Sequence, residues 1–219
     1  MIRYEIKKHG LWKVLTQRYY DDSFYEDHLR LRPAYDVLAS ALDRWAHPAS
    51  VCDLGCGNGY VLSYFAARGA RVTGVEGSSR AVAHIDVSIR NHVVVHDLAR
   101  IMPLPLHDLV VCLEVAEHLP KRASTSVVAN IAKSADQYIA FSAAQPGQWG
   151  DGHINCQPVS FWLRLFSERG WVADSGALDV VRAELERDPA FREQLPWILS
   201  NLVLLRPVPS GRVTGATAR

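Results

Sequence analysis

The sequence has little charge imbalance and no long apolar run. Its 219 residues carry a formal net charge of +1, so the chain has no overall electrostatic attraction to nucleic acid or to an anionic membrane. Its apolar runs, such as residues 109–113, are far too short to cross a bilayer, and residues 1–8 lack the apolar core of a signal peptide. We therefore expect a cytoplasmic protein whose partner is neither a membrane nor a nucleic acid.

Cysteine is also scarce. The cysteines are Cys52, Cys56, Cys112 and Cys156, and none of them forms a C-x-x-C pair. We interpret them as reduced thiols, because neither a disulfide framework nor a cysteine zinc site has this spacing. With 48% hydrophobic and 21% charged residues, the composition is that of an ordinary globular domain.

The most informative segment is a glycine turn between two apolar runs. The first run, residues 50–54, leads into Gly55, Gly57 and Gly59, and the second run ends in Glu76. This layout predicts a strand, a tight turn, a helix and a parallel strand with a carboxylate at its tip. Glycines let the backbone approach a cofactor closely, and such a carboxylate can accept hydrogen bonds from a ribose diol.

Two residues of this segment distinguish between cofactors. A dinucleotide site requires a third glycine where this chain has Tyr60. Asp53 would repel a pyrophosphate, whereas it suits the ammonium group of an amino acid. Both departures favour S-adenosylmethionine over NAD.

Strands and helices alternate along the rest of the chain. We predict an N-terminal helical cap over residues 1–46 with a helix from Pro33 to Trp45, a core domain over 47–208 and a flexible tail over 209–219. Ser78 or Ser79 is predicted to cap the second core helix. The predicted core strands are residues 50–54, 71–76, 93–96, 109–114 and 137–142. The predicted core helices are residues 59–68, 79–89, 121–134 and 159–169, followed by a charged helical segment over 177–194 and an apolar run over 202–205.

Four motifs in this order resemble those of the class I S-adenosylmethionine-dependent methyltransferases. They are residues 53–59, Glu76, residues 96–98 and residues 114–120, and the resemblance spans about residues 48–205. It implies an α/β fold: a Rossmann-like, doubly wound, seven-stranded, mostly parallel sheet with helices on both faces. By this resemblance the cofactor-binding residues are Tyr20 in the cap and Asp53, Gly55, Cys56, Gly57, Gly59, Glu76, Gly77, Asp97, Leu98 and Glu114.

The acceptor side of the predicted site contains two clusters of chemically active residues. Glu114, Glu117 and His118 follow the fourth strand, and His153 lies in a glycine-rich loop after the fifth. We predict that His153 is a general base, with Glu114 as a second catalytic residue. The E-x-x-E-H pattern with a later histidine is similar to the metal-binding set of the small-RNA 3′-end methyltransferases and of the ubiquinone-biosynthesis O-methyltransferases.

That similarity leaves two interpretations open. Glu114, Glu117, His118 and His153 could together hold Mg²⁺, Mn²⁺ or Zn²⁺. Alternatively, Glu114 lines the cofactor pocket, Glu117 and His118 begin a helix, and His153 acts alone.

Three functions follow from this site. The first is methyl transfer to a hydroxyl of a small molecule or sugar. The second is metal-dependent methylation of an RNA ribose 2′-hydroxyl, and the third is an inactive methyltransferase-like scaffold. We expect a monomer or a homodimer.

Overall fold

The computed structural model describes residues 21–209 and contains one seven-stranded sheet. The strand order is β3-β2-β1-β4-β5-β7-β6, in which β7 runs antiparallel to its two neighbours and the other pairs are parallel. The strands are β1 (Ser50–Leu54), β2 (Arg71–Glu76), β3 (Val93–Val95), β4 (His107–Leu113), β5 (Ala135–Ser142), β6 (Trp171–Ala173) and β7 (Val203–Pro207).

The helices precede and separate these strands. They are α1 (Asp22–Asp27), α2 (Arg32–Ala46), α3 (Tyr60–Ala66), α4 (Ala81–His84), α5 (Ser124–Ser134), α6 (Val159–Ser167), α7 (Ser175–Leu185), α8 (Pro189–Gln194) and α9 (Pro196–Asn201). Pro33 lies in the first turn of α2, as predicted. Among the described residues, no helix combines the length and the apolar character that a bilayer span requires.

The sheet carries helices on both faces because its central strands are apolar on both sides. Leu109 and Val111 of β4 contact one buried cluster, which includes residues of α2, α3 and α7 to α9. Val110 and Cys112 alternate with them and belong to a second cluster with α5 and α6. This confirms the predicted fold class, and it brings the carboxyl ends of β1, β2 and β4 to the same edge of the sheet.

Several element boundaries differ from the sequence-based predictions. The bounds of β1 and β2 are confirmed, but the helix predicted over 79–89 is wrong, since α4 ends at His84. Asp86 then bonds to its own neighbours: its carboxylate accepts from the Ser88 N–H at 2.9 Å, which competes with helix hydrogen bonding. Neither Ser78 nor Ser79 caps α4, because its N-cap residue is Arg80.

The other differences concern the ends of elements. The strand predicted to reach Glu114 ends one residue earlier, because Glu114 has a φ of 53°. Residues 121–123 form a 3₁₀ turn before α5 rather than part of it. The segment predicted as one helix over 177–194 is two helices, separated where Asp188 caps α8 and Pro189 begins it. Tyr20 and residues 210–219 of the predicted tail lie outside the described residues, and the domain division stays a prediction.

Candidate active site

A cavity of about 680 Å³ opens at the carboxyl ends of β1, β2 and β4. Residues from α1, the glycine turn, the strand tips and the loop after β5 surround it. Of the predicted cofactor residues, those that line it are Asp53, Gly55, Cys56, Gly57, Glu76, Gly77, Asp97, Leu98 and Glu114. Gly59 lies at the start of α3 instead, where its φ of 78° ends the turn.

Glu76 is fixed at the tip of β2 by backbone donors. Its carboxylate accepts hydrogen bonds from the Gly57 N–H at 2.9 Å and from the Ser78 N–H at 2.8 Å. Burial raises the pKa of Glu76, and these hydrogen bonds oppose that rise. The side chain is thus oriented by the glycine turn before any ligand is present.

Gly57 leaves room for a ligand beside the turn. Its φ is 52°, and no heavy atom lies within 4 Å of the position that a Cβ would occupy. Since Gly57 lines the cavity, this open space is where a cofactor can approach the backbone.

Asp53 is a buried carboxyl group facing the same cavity. It is only 5% exposed, and burial, together with the nearby charge of Glu76, raises its pKa to about 8. The group is therefore mainly protonated at neutral pH in the free protein. A cationic ligand group beside it would favour the charged form instead.

The cofactor half of the cavity, which is the part lined by Asp53, Gly57 and Glu76, is bordered by α1 and by the residue that follows it. Phe24, Tyr25 and His28 line the cavity, and the Asn58 side-chain amide donates to the Tyr25 carbonyl at 3.1 Å, which holds α1 over the glycine turn. The sequence analysis predicts Tyr20 for this role, and because Tyr20 lies outside the described residues this stays a prediction.

Glu114 lines the cavity immediately after the end of β4. Its N–H donates to the Ser142 carbonyl at 3.1 Å, which keeps the residue at the end of β4. Its two carboxylate oxygens accept from the Asn201 side-chain amide at 3.2 and 3.3 Å. Asn201 was missed by sequence reasoning, because a single asparagine 87 residues away belongs to no motif.

Glu117, His118 and His153 form a cluster in which one ligand atom from each residue lies within 4.8 Å of the others. Burial, followed by the charge of Glu114, raises the pKa of the fully buried Glu117 well above its usual range. Burial, followed by the charge of His153, lowers the pKa of His118 to about 4. His118 is therefore neutral at pH 7 in the free protein. Glu114 is not in the cluster, but it is near enough for its charge to raise the pKa of Glu117.

His153 has a defined orientation in the loop after β5. Its Nδ1 lies 3.2 Å from the Gln148 carbonyl, which can only accept, so this contact favours the neutral tautomer that has its hydrogen on Nδ1 and its lone pair on Nε2. The ring lies against Gly150, where a Cβ would overlap the imidazole. Asp151 and Trp149 of the same loop also line the cavity, and Trp149 is almost fully exposed.

The residues present fit the two predicted ligands to different extents. For S-adenosylmethionine the chain supplies an open glycine turn, a fixed carboxylate at the β2 tip and a buried Asp53. For a divalent cation it supplies two imidazoles and one carboxyl, a set that suits Zn²⁺ or Mn²⁺ better than Mg²⁺.

The sheet order and the site together define the class I fold of S-adenosylmethionine-dependent methyltransferases. A family described as a methyltransferase domain matches residues 25–144. The chain belongs to this methyltransferase-domain family, and the resemblance predicted from the four motifs is confirmed.

Curated relatives and solved structures agree with this assignment. The chain is similar to a ubiquinone biosynthesis O-methyltransferase of Pseudomonas syringae pv. tomato, with 33% identity over 135 residues covering 56% of this chain and 54% of that protein. It is also similar to the chloroplastic magnesium protoporphyrin IX methyltransferase of Arabidopsis thaliana, with 29% identity over 49% of this chain and 36% of that protein. The chain thus spans about half the length, or less, of these relatives.

Two solved structures show the same fold at low identity. One is the O-methyltransferase of a trans-AT PKS multienzyme of Brevibacillus brevis in complex with S-adenosyl-L-homocysteine, with a TM-score of 0.56, 15% identity and coverage of 79% and 71% of the two chains. The other is magnesium protoporphyrin IX methyltransferase from Synechocystis PCC 6803 with bound SAH, with a TM-score of 0.55, 18% identity and coverage of 70% and 79%.

Proposed function

We propose that the protein transfers a methyl group from S-adenosylmethionine to a hydroxyl group of a small molecule or sugar. One observation carries this proposal. A single cavity joins Asp53, Gly57 and Glu76 on one side to Glu114 and His153 on the other. A donor held by the first group would share the cavity with an acceptor held by the second.

The residues of the acceptor half have separate tasks in this reaction. When bound, S-adenosylmethionine supplies a sulfonium methyl group that is open to attack by a nucleophile. His153 Nε2 takes the proton of the acceptor hydroxyl, since its Nδ1 is bonded to the Gln148 carbonyl. Glu114 orients the acceptor from the end of β4, and α1 covers the cofactor half so that water is kept away.

The charges of the cavity support a small acceptor over RNA. Its lining contains acidic side chains, and among the lining residues that the structure describes there is no lysine or arginine. An RNA ligand normally requires basic side chains to neutralise its phosphates. The lining carboxyl groups are those of Asp53, Glu76, Asp97, Glu114 and Asp151.

Labelled methyl transfer tests this function. The wild-type protein is incubated with methyl-labelled S-adenosylmethionine and with separate small-molecule and RNA extracts of the source organism. We expect label in the small-molecule extract. His153→Ala should lower the turnover rate by about two to four orders of magnitude while calorimetry shows unchanged affinity for S-adenosylhomocysteine. Label in RNA alone would favour the second function, and unchanged turnover would remove His153 from the mechanism.

A metal-dependent version of the reaction is a second candidate. It is supported by the cluster of Glu117, His118 and His153, which would hold the ion. A bound divalent ion lowers the pKa of a coordinated hydroxyl group. Chelator-treated protein should then lose methyl transfer and regain it with Zn²⁺ or Mn²⁺. Calorimetry should show metal binding to the wild-type protein but not to His118→Ala, whereas full activity after chelation would end this candidate.

An inactive scaffold is the remaining alternative. The cavity and the fixed Glu76 favour a protein that binds cofactor. If S-adenosylhomocysteine did not bind at millimolar concentration, the scaffold would be the better description.

A further inference from the structure

We propose that Asn201 is a positioning residue, which holds the Glu114 carboxylate in the orientation that the acceptor requires. This inference rests on the proposed function. Asn201 is the last residue of α9 and is only 1% exposed. Its Nδ2 lies 3.2 Å from Glu114 Oε1 and 3.3 Å from Oε2, so a single amide donor spans both oxygens of the carboxylate.

The orientation of the Asn201 amide is itself fixed from the opposite side. Its Oδ1 accepts from the Gln145 side-chain amide at 3.1 Å and from the Ser200 hydroxyl at 3.3 Å. If the amide turned over, its oxygen would face the Glu114 carboxylate and its nitrogen would face the Gln145 donor. Both contacts would then be repulsive, so the network selects one orientation.

Glu114 requires such a support because its backbone is already unusual. Glu114 has a φ of 53°, a left-handed conformation that is rare outside glycine. Backbone hydrogen bonding to Ser142 fixes its main chain, but this does not fix the side-chain torsions. A neutral amide is well suited to that task, since it orients the carboxylate without cancelling its charge.

The same network connects Glu114 to the loop that carries His153. Gln145 belongs to this loop. The backbone carbonyl of Gln148 orients His153, and the Gln148 side-chain amide contacts the Ser200 hydroxyl at 3.4 Å. The end of α9 therefore contacts both proposed catalytic residues, one directly and one through the loop. This places part of the acceptor site in the C-terminal segment, beyond the residues 25–144 that match the family.

Asn201→Ala tests the proposal by kinetics and by structure. We expect kcat to fall by about 10- to 100-fold, because a misplaced catalytic group has effects of this size. The dissociation constant for S-adenosylhomocysteine should change by less than about threefold. A crystal structure of the variant with S-adenosylhomocysteine should show the Glu114 carboxylate displaced or in more than one orientation.

A double-mutant cycle with Glu114→Gln separates positioning from a purely structural effect. If Asn201 acts through Glu114, Asn201→Ala should reduce kcat much less in the Glu114→Gln background than in the wild type. Ile198→Ala is the matched control, because Ile198 is fully buried on the same helix and its side chain has no group that can hydrogen bond to Glu114. It should lower the melting temperature without the loss of kcat.

Each outcome decides between the alternatives. An unmoved Glu114 carboxylate in Asn201→Ala, or additive losses in the cycle, would overturn the inference. Absence of methyl transfer by the wild-type protein would instead contradict the proposed function, and the crystal structure would still test the position of Glu114. If Asn201→Ala does not fold, Gln145→Ala replaces it as the test, because Gln145 is only half-buried. Gln145→Ala should then give a smaller loss of kcat than the loss expected for Asn201→Ala.

Discussion

At the scale of single residues, Gly57 determines whether the cavity can hold a cofactor. Gly57 and Gly69 both have positive φ, and neither has a heavy atom within 4 Å of its Cβ position. Gly57 lines the cavity, whereas Gly69 follows the C-terminal end of α3 and is not among the residues that line it. Alanine at either position adopts an unfavourable backbone conformation, at a cost of about 1 kcal/mol. The two substitutions should differ only in what the new methyl group meets.

We predict that Gly57→Ala weakens binding of S-adenosylhomocysteine by about tenfold or more, because its Cβ would occupy open space at a residue that lines the cavity. Isothermal titration calorimetry measures this change. Both Gly57→Ala and Gly69→Ala should lower the melting temperature, and by similar amounts. Gly69→Ala should leave the affinity for S-adenosylhomocysteine unaltered. Equal affinities in the two variants would show that the cofactor does not approach Gly57.

The raised pKa of Asp53 makes cofactor binding depend on pH. In the free protein this pKa is about 8, so Asp53 must lose a proton before it can pair with a ligand ammonium group. The affinity of the wild-type protein for S-adenosylhomocysteine should therefore rise with pH up to about 8. Asp53→Asn should bind more weakly and lack this part of the pH dependence. Parallel pH profiles for the two proteins would exclude Asp53 from cofactor binding.

The same substitution should stabilise the free protein. A carboxyl whose folded pKa lies above its unfolded value of about 3.9 loses stabilisation as pH rises between the two values. Above pH 8 the charged Asp53 opposes folding, and asparagine removes that penalty. The melting temperature of free Asp53→Asn at pH 8.5 should exceed that of the wild type by at least about 2 °C, and the difference should shrink toward pH 4.

At the scale of elements, the loop after β5 sets the position of the proposed base. The His153 imidazole lies against Gly150, with its Nδ1 on the Gln148 carbonyl. We predict that Gly150→Ala lowers kcat by at least about tenfold, since the new Cβ displaces the ring, and that it leaves the affinity for S-adenosylhomocysteine unchanged. Gly176→Ala on α7 is the control, because its Cβ meets only Asp174 Oδ1 at 3.9 Å. An unaltered kcat in Gly150→Ala would contradict this role of the loop.

The elements that sequence reasoning predicted best are those with a strong apolar pattern. β1 and β2 are short segments with several apolar residues, one followed by a glycine and the other ending in a carboxylate, and their bounds are confirmed. The helix predicted over 79–89 failed because Asp86 and Ser88 satisfy one another locally, an effect that periodicity does not reveal. β6 contains three residues and is too short to give a pattern.

At the scale of the whole molecule, the cofactor half could be predicted from sequence and the acceptor half only in part. The cofactor residues follow strand ends in motifs, so parallel-sheet topology alone brings them together. Asn201 reaches Glu114 only because β7 inserts between β5 and β6, which sets the end of α9 beside the end of β5. Such a long-range contact depends on the complete fold, so it cannot be predicted from the spacing of residues in the sequence.

The position of β7 leads to a prediction about the C-terminal segment. Val203, Leu204 and Leu205 are buried between two strands, and each such side chain contributes roughly 1.5–3 kcal/mol. Their sum is comparable to the total stability of a typical domain, about 5–15 kcal/mol. A chain ending at residue 202 should therefore show no cooperative thermal transition. S-adenosylhomocysteine at a hundred times its dissociation constant adds only about 2.7 kcal/mol, so it should not restore a cooperative transition.

A chain ending at residue 209 should melt within about 1 °C of the full-length protein and retain its stabilisation by the ligand. Cooperative melting of the shorter chain would show that β7 is dispensable, and the contact between Asn201 and Glu114 would then lack the support that the fold provides.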